Sequence, residues 1–158
     1  MNREFDLIDR RILDELQANG RLSIVELAAR VHLTKTPCSE RVRRLERSGV
    51  IQGYRAVLDQ TKIEMNHVTI VHVSLSRTND MSLHDFGKAV QDIPEVQTCM
   101  MIAGSFDFML KVVTKDMAHF REVHGDQIGK LPHVTQTHSF AVMEIVKDSS
   151  TFEMARSG

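Results

Sequence analysis

The chain is poor in the residues and segments that mark several large protein classes. It has two cysteines in 158 residues, Cys38 and Cys99, far apart and in no C-x-x-C pair, which excludes a disulfide framework and a thiolate zinc site. No apolar run approaches the roughly 20 residues of a membrane-spanning helix. The opening "MNREFDLIDRR" has no apolar core of a secretory leader, so the expected location is the cytoplasm, away from any membrane. No phosphate-binding glycine loop, Ser-His-Asp order or recognisable carboxylate pair occurs, so neither catalysis nor a cofactor is expected. Eight histidines suggest metal, but their spacing does not. His67 and His72 fall on opposite sides of a strand. His119 and His124 diverge by about 140° on a helix of 3.6 residues per turn.

There is also little net charge, formally −1, but it is unevenly placed. Residues 1–60 hold 11 Lys/Arg against 9 Asp/Glu, and residues 61–158 hold 9 against 12. Five cations (Lys35, Arg41, Arg43, Arg44, Arg47) against Glu40 and Glu46 give residues 35–47 a local charge of +3. One basic patch sits on an otherwise acidic chain.

The N-terminal part reads as three short helices. Ile8, Ile12 and Leu16 share a stripe that stops at Gly20. Ser23 and Glu26 form an S-x-x-E capping box ahead of Ile24, Leu27, Ala28 and Val31. In the third helix Thr36 is the expected N-cap and Pro37 the first helical residue, where its missing N–H costs nothing. Cys38, Val42 and Leu45 recur at i, i+4, i+7 as its buried stripe, and Gly49 ends it. That stripe marks Cys38 as a core residue rather than a helix-activated thiol. "VIQGYRAVLD" then predicts a short strand pair hinged at Gly53, with a polar linker from Gln60 to about Asn66.

Beyond the linker the period changes. "VTIVHVSLS", "VQTCMMIAG", "FDFMLKVVT" and "VTQTHSFAVMEIV" read as strands, and "SLHDFGKAVQDI" and "MAHFREVHGDQIGKL" as helices. The order β-α-β-β-α-β is ferredoxin-like. A faint repeat supports two similar halves: Asp80-Met81 and Asp116-Met117 each open a helix, and "IPEVQT" and "LPHVTQT" each lead into a strand. Helices cover one face of such a sheet, yet Cys99 and Met101 against Met100 and Ile102, or Phe108 and Leu110 against Met109 and Val113, are apolar on both. A second copy of the chain is the expected cover, giving a homodimer.

The expected fold class is therefore α+β. A winged helix-turn-helix domain spans 1–60, a linker runs to about 66, a ferredoxin-like sensing and dimerisation domain spans 67–148, and 149–158 is a flexible tail. In such a domain the third helix enters the major groove of double-stranded DNA. With Cys38, Val42 and Leu45 turned inward, Lys35, Thr36, Ser39, Glu40 and Arg43 are expected to approach bases, and Arg41, Arg44 and Arg47 to hold phosphates. A different class stays open: an oligomeric small-molecule-binding module that regulates an enzyme through protein contacts.

The stretch "TPCSERVRRLERSGVIQGY", with "LIDRRILDELQANGRLS" upstream and "GSFDFMLKV" in the second half, resembles the leucine-responsive/asparagine-regulator (Lrp/AsnC, feast/famine) transcription factors from Asp6 to Lys147. The resemblance implies a sequence-specific transcription regulator that senses an amino acid or related metabolite, built of dimers that assemble into octamers or similar rings. It places the effector at Gly104, Ser105, Phe106 and Asp107, joined by Thr135, Thr137 and Ser139. Many members carry an acid where this chain has Ser105. Turn amides at a glycine suit a carboxylate, and Asp107 suits an α-ammonium.

Overall fold

A computed structural model describes residues 5–154, which divide into two compact units. One comprises the residues up to Val57 together with those from Lys147 onward; the other is Leu58–Val146.

The first unit holds α1 (Leu7–Ala18), α2 (Ile24–Arg30) and α3 (Lys35–Arg47). Its core is Ile12, Leu13, Leu27, Ala28, Val31, Cys38, Val42 and Leu45. Several helix ends follow from local chemistry, though Thr34 makes no side-chain capping bond at the start of α3. Asp6 caps α1 by accepting from the Asp9 amide, and Ser23 and Glu26 form the reciprocal capping box of α2. Burial pushes the Cys38 thiol pKa up, as its inward position requires. α2 and α3 both end in six-to-one loops: the Leu33 amide donates to the Ala28 carbonyl, and the Val50 amide to that of Leu45. Such loops need a left-handed residue. Gly49 supplies it at φ +74°, but after α2 the position falls to His32 at φ +57°.

Three expectations need correction here. α3 begins at Lys35 with Thr34 as N-cap, not at Pro37 behind Thr36. Pro37 is the third helical residue, still among the amides with no intrahelical partner; the first such bond runs from the Cys38 amide to the Thr34 carbonyl. The strand pair over "VIQGYRAVLD" forms no ladder in the single chain. Instead Tyr54 is held by its hydroxyl donating to Glu46, and its ring lies over Gly20, where an added Cβ would stand 3.2 Å from Tyr54 Cδ1. The tail expected to be flexible is fastened as far as it is described, its last four residues lying outside the described part. Gln17 grips Phe152 by both backbone groups, at 2.7 and 2.9 Å. The Met154 amide donates to Asp14, and Met154 packs on the core.

The second unit opens on a turn ordered by Asp59, whose side chain accepts from the Thr61 and Lys62 amides, where a plain linker was expected. β1 (His67–Leu75), α4 (Asp80–Ala89), β2 (Val96–Met101), β3 (Phe108–Thr114), α5 (Met117–Asp126) and β4 (Val134–Ala141) follow in the expected order. The sheet is antiparallel, ordered β2-β3-β1-β4. The internal repeat is real but shifted: Asn79 caps α4 and Asp116 caps α5, and each helix runs on into a 3₁₀ turn. Val71, Val73, Leu75, Phe108, Leu110 and Val112 face the helices and pack under Phe86, Val90, Phe120, Val123 and Ile128. Cys99 and Met101 point to the same side but stay exposed on the edge strand β2, beyond the cover the helices provide.

Removing residues 149–158 strips the side chain of Met154 and the Gln17 and Asp14 bonds from the first unit. Exposed bonds of this kind stabilise weakly, so the unit should lose about 1–2 kcal/mol. Urea denaturation followed by the fluorescence of Tyr54, the single tyrosine of a tryptophan-free chain, measures that unit alone.

Candidate nucleic-acid interface and effector site

The face of α3 opposite its buried stripe carries Thr36, Glu40, Arg43 and Arg47 at i, i+4, i+7, i+11, all exposed, with Lys35 exposed beside them and Ser39 half-buried. This is the helix surface expected to meet DNA, with Arg47 on phosphate and the others towards bases. Helix periodicity alone put it there, because seating Cys38, Val42 and Leu45 leaves no other side outward.

Arg41 and Arg44 depart from expectation. Both are ion-paired within the unit rather than free, although Arg44 stays exposed. Arg41 donates 2.6 Å to Asp6 and 2.9 Å to Asp9, and Arg44 bonds the other Asp9 oxygen. Asp9 is only 3% exposed, so a nearly buried carboxylate holds two guanidinium groups one turn apart. A buried acid next to apolar surface would be costly alone and is sustained by such pairing. Arg41 holds the Asp6 carboxyl below its ordinary pKa, after the larger effect of the Asp9 amide, and Arg41 is pushed up in turn by the two acids. Nothing in the linear pattern flagged Asp9, since an acid in the first turn of a helix is commonplace.

In the second unit, Gly104–Asp107 and Thr135 gather at one end of the sheet, where β1 ends. The Asp107 amide donates to the Val73 carbonyl, and Thr135 donates to that of Ser74. Asp107 does not hold its carboxylate out for an α-ammonium. Its two oxygens accept from the Leu75 amide at 2.7 Å and the Thr78 hydroxyl at 2.9 Å, so it pins the turn to β1. Among the described residues the amides of Gly104, Ser105 and Phe106 donate to no protein acceptor. Phe106 stacks on His72, centroids 3.7 Å apart, on the face the helices leave open. Thr137 and Ser139 register with Val73 and Val71 and so lie on the other face, where the Thr137 hydroxyl meets His124 at 2.9 Å. The seven expected positions are thus split between the two faces, and His72, which was not among them, lies against Phe106.

The open face carries Ile70, His72, Met100, Met109 and Phe140, with His138 opposite His72. Phe140 is 52% and Met100 40% exposed.

A three-helix DNA-binding unit joined to a ferredoxin-like unit with a polar turn at one sheet end is the architecture of a ligand-responsive transcription regulator, and not of an enzyme. Family comparison agrees. "Lrp/AsnC ligand binding domain" matches residues 68–152, and "Winged helix-turn-helix DNA-binding" matches residues 5–52. The chain belongs to the Lrp/AsnC family of transcription regulators. It is 46% identical to the proline dehydrogenase transcriptional activator of Rhodobacter capsulatus, over 92% of this chain and 95% of that one. It is 44% identical to the leucine-responsive regulatory protein of Escherichia coli K12, over 94% and 90% respectively. A Neisseria meningitidis transcriptional regulator solved with L-methionine superposes at TM-score 0.88, with 31% identity over 94% of this chain and 96% of the other.

Tyr54 offers a direct spectroscopic check on this unit. Burial and the Glu46 carboxylate raise its pKa from 10.0 to about 12. A group raised on folding stabilises fully below its unfolded pKa and loses that contribution as pH climbs through the folded one. Phenolate absorbance should therefore rise near pH 12 in the folded protein, and Glu46→Gln should bring the midpoint down. Separately, Asp107→Ala leaves the Leu75 amide unpaired and should cost about 1–3 kcal/mol of stability of the second unit with no ligand present, read by calorimetry.

Proposed function

We propose that α3 enters the major groove with Lys35, Thr36, Ser39, Glu40 and Arg43 towards base edges and Arg47 on phosphate. Two such helices are brought to DNA by a homodimer formed through the open sheet face, and dimers assemble further into octamers or similar rings in the cytoplasm. The observation that carries the reading is the exposed stripe Thr36–Glu40–Arg43–Arg47 on a helix whose reverse is fully seated. Arg43 suits bidentate contact with guanine, while Glu40 suits acceptance from a cytosine amine. One copy offers few free cations, and doubling the helix supplies the contacts that tight, site-specific binding needs.

The effector in this reading is an amino acid with an apolar side chain. Its carboxylate meets the turn amides of Gly104–Phe106, and its side chain lies near Phe106. Thr135 stands at the same sheet end; Thr137 and Ser139 line the neighbouring edge strand. Leucine and methionine are the first candidates, since relatives are named or solved with them.

Arg43→Ala should weaken selected operator DNA by about 1–3 kcal/mol and relax base preference. Arg47→Ala should weaken all duplexes alike and flatten the salt slope by about one. Fluorescence anisotropy across salt concentrations reads both; unchanged affinity in the two variants would remove α3 from the interface. Phe140→Glu should give monomers in sedimentation equilibrium. A thermal-shift series over the twenty amino acids should single out apolar ones, and twenty flat responses would count against the turn as a sensor.

A further inference from the structure

We propose that Asp9 is a specificity-determining residue for DNA binding: by engaging Arg41 and Arg44 it withholds two cations of the recognition helix from phosphate. It acts through those arginines and touches no DNA itself.

The argument starts from charge. α3 contains five cations, and a helix presenting all of them would bind any duplex strongly, because phosphate neutralisation is blind to sequence. Specificity is the ratio of selective to non-selective affinity, so each cation freed towards the backbone raises the denominator. Asp9 and Asp6 offset Arg41 and Arg44 charge for charge. What remains outward is Lys35, Arg43 and Arg47, interleaved with Glu40 and Glu46.

Geometry makes the arrangement directional. Asp9 lies in the first turn of α1 and is almost wholly enclosed, so its oxygens cannot turn to solvent. Arg41 engages the first oxygen and Arg44 the second. Three residues apart on α3, the two arginines lie on the same flank, and fixing both sets the rotation of the helix about its axis. Arg41 is 25% exposed and has little freedom to leave, whereas Arg44, at 47%, keeps part of its side chain at the surface while paired to Asp9. The same contact that aims Arg43 outward therefore keeps Arg44 occupied.

A purely structural role predicts something different. Loss of a strut would lower stability and weaken every duplex equally, with the salt dependence unchanged. Loss of a charge-withholding residue steepens the salt dependence and tightens random DNA.

The proposal rests on α3 being the DNA-reading helix, and the test separates the two. Binding of the full-length protein is measured across salt concentration on two probes: a duplex selected from a random pool by the wild-type protein, and a short duplex of random sequence. Asp9→Asn, which preserves shape and removes charge, should steepen the slope of log K against log salt by about 0.9 to 1.8 per protomer, one or two added phosphate contacts. At the upper figure that is roughly a tenfold larger loss between 50 and 200 mM salt. Random-duplex binding at low salt should tighten, and the selected-to-random ratio should fall. Glu46→Gln, an equal change of charge that frees no arginine, should leave the slope in place. Arg44→Gln should also leave it in place, and this variant decides the matter if Asp9→Asn does not fold. An unchanged slope in folded Asp9→Asn overturns the proposal. So does an equal steepening in Glu46→Gln, or a flattening by about 0.9 per protomer in Arg44→Gln. If Arg43→Ala and Arg47→Ala leave binding intact, the reading of α3 itself falls, and the proposal with it.

Discussion

β1 is the strand on which the second unit depends, because it hydrogen-bonds β3 along one edge and β4 along the other. Its alternation sends Val71, Val73 and Leu75 under the two helices and Ile70, His72 and Ser74 to the uncovered side. A slip of one residue would invert this assignment, so burial of three large side chains holds the register of the whole sheet. The turn at the end of the sheet inherits its order from the same strand. Asp107 accepts from the amide of Leu75 and Thr135 donates to the carbonyl of Ser74, so the turn and β4 are both fastened where β1 ends. The aromatic stack of His72 with Phe106 exists because β1 places His72 on the open side.

The first unit solves a different problem, seating a polar helix on a small core. Cys38, Val42 and Leu45 contribute the apolar contact, which is narrow for a helix of thirteen residues. The rest of its fixation is electrostatic, from α1 through Asp6 and Asp9. The chain returns to this unit after the sheet, and Phe152 and Met154 fasten to α1. The segment following β4 is thereby attached to α1, the helix that also holds α3.

Local rules made much of this readable in advance. The three helices, their buried stripes, the capping box, the left-handed Gly49 and the order of strands and helices all follow from periodicity and caps that act over a few residues. Errors arose where a residue had two adequate local roles. Thr36 was expected as the cap because it precedes Pro37, but Pro37 is tolerated at the first or third helical position alike, and the helix starts two residues earlier behind Thr34 without a side-chain capping bond. The strand pair near Gly53 failed because a β-propensity run makes a ladder only when a partner strand lies beside it, and here Tyr54 packs on the Gly20 turn instead. Of the expected effector positions, Gly104–Asp107 and Thr135 gather at one sheet end, while Thr137 and Ser139 lie further along β4. Alternation divided them between faces, and the Asp107 carboxylate was already engaged.

By itself the sequence determined the helices and the four strands of the sheet, the two-unit organisation and the outward stripe of α3, because helix and strand periods assign faces without reference to distant residues. Only the tertiary structure decided which cations on that helix are free. Asp9 and Arg41 are 32 residues apart, and Asp9 and Arg44 are 35 apart. A charge pair leaves no periodic trace in a sequence, and becomes visible only when packing closes the distance and removes the water between the partners.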